Sequence, residues 1–199
     1  MANRQQVNTL PLRTISDFKS KLKGGGARPN LFEVELTFPS GVAVQSENEV
    51  IENARFLVKA AALPASTVAP IDIPFRGRIL KIAGDRTFET WTITVLNDTS
   101  FNIRSAFEKW MNYINKLDNG TGETDPANYQ VDAKVHQLDR TGETLRSYVF
   151  KDVFPTNISS IDLSYETTDT IQEFTVEMQV HYWEAYKGRT SDAGGENIS

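Results

Sequence analysis

Apolar and polar residues alternate along most of this chain, and the alternation predicts strands. Residues Leu31–Phe38 place Phe32, Val34, Leu36 and Phe38 on one side and Glu33, Glu35 and Thr37 on the other. The same two-residue period runs through Thr87–Leu96, Ile158–Glu166 and Ile171–Trp183, and further strands are expected at Tyr129–Leu138 and Leu145–Phe154, joined by the Asp139–Glu143 turn. In Ile171–Trp183, Phe174, Val176, Met178, Val180 and Tyr182 alternate with Glu173, Thr175, Glu177, Gln179 and His181. Shorter runs at Ile71–Phe75 and Arg78–Ile82 are interrupted by Pro74 and Gly77, and proline there favours an edge or a bulge. Gly84-Asp85 is expected to join this region to the strand at Thr87–Leu96.

The period changes to three and four residues at Ile103, Ala106, Phe107, Trp110, Ile114 and Leu117. This predicts one amphipathic helix, capped by Asp98, Thr99 or Ser100 and ended by Asn119-Gly120. Thr14–Lys23 fits a shorter helix with Ile15, Phe18 and Leu22 on one side, capped by Ser16 and ended by Gly24-Gly25-Gly26. Too short to hold alone, it needs a surface to dock on. Gly41–Asn53 reads as a long polar loop carrying Glu47, Glu49 and Glu52. Arg55–Leu63 reads as a strand, with helix as the alternative around Ala60-Ala61-Ala62. About eight strands and one helix predict a mainly β fold: two packed antiparallel sheets, a barrel-like sandwich with one flanking helix. The expected organisation is an arm with a short helix at 1–28, the sandwich at 29–187 and a flexible tail at 188–199.

Composition narrows the function. The 199 residues suffice for one good core. Cysteine is absent, which removes disulfides, thiolate nucleophiles and Cys-ligated metals. No apolar run reaches the ~20 residues of a membrane span, so no membrane anchor is expected. The first residues lack a signal peptide's apolar core, so the chain is expected to act where it is made or to leave by a route other than secretion. The net charge of −5 argues against general nucleic-acid binding. Its distribution is uneven: residues 1–28 hold six basic residues (among them Arg13, Lys19, Lys21, Lys23 and Arg28) against Asp17 alone, a charge of +5 that leaves −10 on the rest. A basic arm on an acidic body either binds an acidic partner, a second copy being the nearest, or is a solvated tail.

Chemistry is sparse. His136 and His181 lie on the polar sides of their strands with no third ligand placed by sequence, so exposed histidines are the simpler reading. The three glycines at 24–26 lack the downstream Gly-Lys-Ser/Thr of a phosphate loop and read as a hinge. There is no GxSxG elbow. Glu173 and Glu177 share a face but stand roughly 13 Å apart by strand rise, beyond the ~5–9.5 Å of glycosidase carboxylate pairs. Arg76 and Arg78 flank Gly77, where they fit a surface or subunit contact at least as well as a phosphate. The chain is read as non-enzymatic, without cofactor or metal. Its function is sought in its outer surfaces.

Four segments occur in one order: FKSKLKGGGARPNLFEVELTFP, ALPASTVAPIDIPFRGRILKIAGDRTFETWTITVLND, FNIRSAFEKWMNYIN and VFPTNISSIDLSYETTDTIQEFTVEMQVHYW. Together they resemble the tail tube proteins of T4-type contractile-tailed bacteriophages, from about Ile15 to Tyr186. The resemblance implies a sandwich with a helix at its side, and six copies per ring. Rings stack into a tube inside a contractile sheath. Neighbouring strands join into a continuous inner barrel, and DNA passes through the lumen. The implied partners are other copies, the sheath, baseplate and tail-terminator proteins, and a tape-measure protein and DNA inside the lumen. Asp162, Glu166, Glu173 and Glu177 are the candidate lumen-facing carboxylates. Arg13, Lys19, Lys21, Lys23, Arg28, Glu47, Glu49 and Glu52 are the candidate contacts between subunits or rings. The inner tube of a type VI secretion system or phage-derived injection particle is the alternative within this fold, and a monomeric β-sandwich binding module the alternative outside it.

Overall fold

The computed structural model describes residues 13–22, 26–42, 44 and 47–186. Lys23, Gly24, Gly25 and the tail expected at 188–199 lie outside the described residues. Nine strands and four helices follow in the order α1 (Ile15–Lys21), β1 (Phe32–Glu35), α2 (Glu47–Leu57), β2 (Val58–Ala61), β3 (Ser66–Phe75), β4 (Arg78–Phe88), β5 (Trp91–Leu96), α3 (Asn102–Ile114), α4 (Pro126–Tyr129), β6 (Val131–Leu138), β7 (Thr144–Ile158), β8 (Glu173–Gln179) and β9 (Tyr182–Tyr186).

Seven strands form one antiparallel sheet in the order β1-β6-β7-β8-β5-β2, with β9 also on β7. The long strand β7 divides it. Its first half pairs with β6 and β9, and its last residues, Phe154–Ile158, pair with β8. Between the halves the β6 register slips, and Asp152 takes a left-handed backbone, φ 55°. An extra residue of this kind bends a strand, and aspartate tolerates the conformation better than most side chains. The bend folds the sheet into two layers, β1-β6-β7-β9 (sheet A) and β7-β8-β5-β2 (sheet B). Their inner residues, Val34, Val135 and Phe150 from A and Ile93, Val176 and Met178 from B, share one buried cluster. Trp91 stacks on Phe150 at 4.3 Å between ring centres, joining the layers.

Helix α3 packs its predicted stripe inward: Ile103, Ala106, Phe107 and Trp110 are buried. Two expectations at its ends fail. The cap is Phe101, in a left-handed conformation without a side-chain bond to the helix, because Ser100 donates its hydroxyl to Asp98 instead. The helix stops at Ile114, so Leu117, expected on the stripe, stands 96% exposed. The chain after it folds tightly back. Glu123 N–H bonds the Tyr113 carbonyl at 3.0 Å, and a Cβ on Gly122 would meet the Ile114 carbonyl oxygen at 2.1 Å. Gly122→Ala must therefore shift backbone, and is expected to destabilise the domain by about 1–3 kcal/mol, read from its urea midpoint.

The single-helix expectation is also corrected. Gly41–Asn53 is not all loop, because Glu47–Leu57 forms α2, with Val50 and Ala54 buried one turn apart. The helix alternative for Arg55–Leu63 holds through Leu57, and the strand is shortened to Val58–Ala61. Glu47 and Glu49 suit the positive end of the helix dipole, and Arg55 reaches Glu33 of β1 at 3.4 Å. The strand expected at Ile158–Glu166 also fails beyond Ile158. Both edges of β8 are already taken, by β5 and β7, so residues 159–172 alternate with no ladder to join.

On the outer face of sheet A, Glu35 lies 3.4 Å from Lys134 and 3.5 Å from His136. Burial pushes the Glu35 carboxyl up, but Lys134, the His136 hydrogen bond and Arg55 more than offset it and hold it below the usual glutamate value. A carboxylate with a depressed folded value stabilises above its unfolded value, ~4.3. That contribution is lost as pH falls through the lower folded value. Glu35→Gln is therefore expected to cost under about 1 kcal/mol near neutral pH, with the difference from the parent shrinking as acid protonates the parent's Glu35 in urea titrations.

Candidate self-assembly surfaces

Among the described residues the remaining strands, β3 and β4, pair only with each other. Residues 62–65 lead into β3 from β2 of sheet B, and Glu89-Thr90 lead from β4 into β5 of the same sheet. Trp183 of β9 holds the base of this ribbon, donating its indole N–H to the Ala65 carbonyl at 3.3 Å and meeting Phe88 edge-on. Beyond the base, nearly every residue of both strands is exposed.

Proline and glycine act here differently from the sequence reading. The ribbon turns at Arg76-Gly77, both at positive φ (45° and 80°). A two-residue turn of that hand matches the twist of paired strands. Gly84-Asp85 is not a connection. The register passes from Val68↔Arg86 to Pro70↔Ala83, so both residues oppose Ala69 in a bulge. A Cβ on Gly84 would lie 2.7 Å from the Ala69 carbonyl oxygen, which leaves room only for glycine. Nor does Pro74 break its strand, because β3 runs unbroken from Ser66 to Phe75.

Register sorts the ribbon's side chains. Phe75↔Arg78, Ile73↔Leu80 and Ile71↔Ile82 share one face, and Pro74↔Ile79, Asp72↔Lys81 and Pro70↔Ala83 the other. The first face thus gathers five large apolar residues, 41–66% exposed. The second carries the Lys81–Asp72 ion pair at 2.8 Å. The two margins also differ. In a hairpin closed by a two-residue turn, Phe75↔Arg78 is a hydrogen-bonded pair, and alternate pairs outward from it direct their backbone groups away from the partner strand. Pro70, Asp72 and Pro74 therefore face outward on β3, and the two prolines have no N–H to offer. On β4 the outward residues Ile79, Lys81 and Ala83 keep theirs. The ribbon is closed to a new strand along β3 and open along β4.

Of the four lumen candidates, Glu173 and Glu177 lie on the exposed face of β8, among Thr92, Thr94 and Thr175 of sheet B. Lys59 bridges Glu173 at 2.5 Å. Asp162 and Glu166 are not with them, but in the irregular segment 159–172. Of the contact candidates, Lys19 and Lys21 lie on α1, Glu47, Glu49 and Glu52 on the outer side of α2, and Arg13 and Arg28 are exposed. Helix α1 starts one residue after its expected beginning and stops two residues before its expected end. Its cap is Thr14 rather than Ser16, in a reciprocal box with Asp17. None of its residues is buried. The ribbon was missed as a site because its alternation reads as an ordinary half-buried hairpin. The visible signal was the apolar content of both strands beside two prolines.

His136 bonds Ser147 at 2.7 Å and faces Glu35, while His181 is exposed beside Tyr182. Among the described residues no three His, Cys, Asp or Glu cluster to hold a metal, and no helix is long and apolar enough to cross a membrane.

A sandwich extended by an apolar, one-edged ribbon defines a structural subunit built to join others. Residues 27–186 match the phage tail tube protein family, and the chain belongs to it. It is 35% identical over 162 residues to the tail tube protein gp19 of Enterobacteria phage T4, covering 81% of this chain and 93% of that one. It is 24% identical over 181 residues to the tail tube protein of Serratia phage KSP90, covering 90% and 99%. The fold is shared with a chain of the anti-feeding prophage tube-terminating cap, 16% identical, TM-score 0.58, covering 82% of this chain and 92% of that one. The protein is accordingly a structural component of a phage tail, with its place in the virion.

Proposed function

We propose that six copies of this chain close into a ring and that rings stack into the inner tube of a contractile tail, the conduit through which DNA leaves. The observation that carries this reading is the β3–β4 ribbon. A two-stranded ribbon is at best marginally stable in water by itself, and this one exposes an apolar face and an open strand margin. A neighbouring copy that covers the face and adds a strand to β4 satisfies both.

Sheet B is four strands wide. Six such sheets joined edge to edge give a barrel of roughly 24 strands. At ~4.8 Å between strands and a tilt of ~40°, its backbone radius is about 24 Å. Side chains leave a channel of about 40 Å, against about 20 Å for B-DNA. On this reading Glu173 and Glu177 face the lumen, with Glu177 holding the charge that Lys59 does not neutralise. An acidic wall repels phosphate, whereas a basic one would hold DNA by counterion release. Residues 29–187 form the tube body, 1–28 an arm toward other subunits, and Glu47, Glu49 and Glu52 on α2 a second contact surface. Sheath, baseplate, tail-terminator and tape-measure proteins are its partners, and assembly takes place in the host cytoplasm. The 35% identity to a phage tube protein favours the phage tail over an injection particle.

Negative-stain microscopy of the purified chain at high concentration tests the proposal. Six-fold rings or hollow filaments are expected. A chain that stays monomeric at every concentration refutes it and revives the monomeric binding module.

A further inference from the structure

Residues 159–172 leave sheet B and return to it without forming a strand, and they enclose a groove of about 780 Å³ against its end. Leu96 and Ile161 line the groove, half-buried, and Leu163 and Ile171 line it with 80% and 70% of their surface exposed. Asp162, Asp169 and Glu173 supply the charge. Lys59 bridges Glu173. Among the described residues neither Asp162 nor Asp169 forms an ion pair. Apolar side chains and carboxylates without an ion pair thus stand together, and among the described residues no helix lies over them.

Helix α1 is the complement. Ile15, Phe18 and Leu22 form its apolar side, 76%, 66% and 46% exposed. Lys19 and Lys21 lie beside them, without an ion pair among the described residues. A seven-residue helix is about 10 Å long. Covering Ile15, Phe18 and Leu22 with Leu163 and Ile171 removes both apolar patches from water, and the lysines meet Asp162 and Asp169.

We infer that the groove under residues 159–172 receives helix α1 of a second copy of this chain. This rests on the tube reading, which sets copies side by side, and it moves Asp162 and Glu173 from the lumen candidates to a contact between subunits, leaving Glu177 on the wall. Each copy gives one helix and accepts one, and in a tube the contact runs head to tail from subunit to subunit.

The chain has no cysteine, so introduced cysteines report on this contact alone. The double variant Phe18→Cys/Leu163→Cys is assembled, oxidised with copper phenanthroline and run on a denaturing gel without reductant. The expected result is a ladder of covalent multimers, whereas each single variant gives no species larger than a dimer. Both positions are exposed, so neither change disturbs the core. A fast-migrating single chain, closed on itself, would overturn the inference, because the helix would then occupy its own groove. Tubes visible by microscopy without a ladder would also overturn it while leaving the tube reading intact. Failure of the unmodified chain to form tubes would overturn both. In a second measurement, Lys19→Glu/Lys21→Glu is expected to lose most of its tubes. Asp162→Lys/Asp169→Lys in the same chain is expected to restore them, and failure of restoration counts against the contact.

Discussion

Lys81→Pro is expected to abolish tube formation, and Asp72→Pro, at the paired position directly across the ribbon, is expected to leave it largely intact. Both changes break the same ion pair, so that loss cancels in the comparison. Both positions direct their backbone groups outward, so neither proline removes a bond within the ribbon. They differ in which margin loses its donor. Asp72 lies between Pro70 and Pro74, on an edge already poor in donors. Lys81 lies at the centre of the open edge, between Ile79 and Ala83. A proline there removes one inter-chain hydrogen bond, about 0.5–1.5 kcal/mol net. It also places a ring where the incoming strand must approach, which ends pairing along the edge. Every subunit contact carries the defect, so the loss compounds around a ring. Sedimentation or negative-stain counts of tubes at matched concentration measure it, with the monomer's Tm as control. Equal loss in both variants, or in neither, would show that β4 is not the pairing edge.

Trp110→Ala should act on the fold rather than on assembly. The indole is 2% exposed. It stacks with Phe107 at 6.1 Å and meets Phe38 edge-on at 5.8 Å. Its N–H donates to the Tyr129 carbonyl at 2.8 Å, tying α3 to α4. Truncating a buried tryptophan costs about 3–5 kcal/mol, a large part of the ~5–15 kcal/mol that holds a domain together. At ~2–4 °C per kcal/mol for a domain of this size, Tm should fall by about 6–20 °C. Tubes should still form well below the lowered Tm, since the ribbon is untouched, and should fail near it. The two variants thus separate: Lys81→Pro loses tubes at unchanged Tm, and Trp110→Ala loses Tm first. A shift under about 1 kcal/mol in Trp110→Ala would mean that α3 does not cover the core.

Much of the sandwich was legible because burial leaves a local period. Val34, Val176 and Met178 are buried where alternation placed them, and the three- and four-residue spacing located α3 to within a turn at its end. Helix α2 was missed because glutamate and asparagine surround its buried Val50 and Ala54, and a polar helix covered on one narrow side resembles a loop. The opposite error occurred at Ile161, Leu163 and Tyr165, which alternate like a strand and form none.

The sequence by itself determined the mainly β body, the inward side of α3 and the basic charge of the first 28 residues against an acidic remainder. Each of these is a property of neighbouring residues or of composition. Only the tertiary structure decided which strand edges are filled, that β3 and β4 stand clear of the sandwich with β4 open, and that residues 159–172 wall a groove. Alternation reports that one side of a strand is covered, but not by what. A strand's neighbours are set by backbone pairing between residues far apart in sequence, and whether an apolar face meets its own chain, another copy or water is settled only when every edge has been assigned.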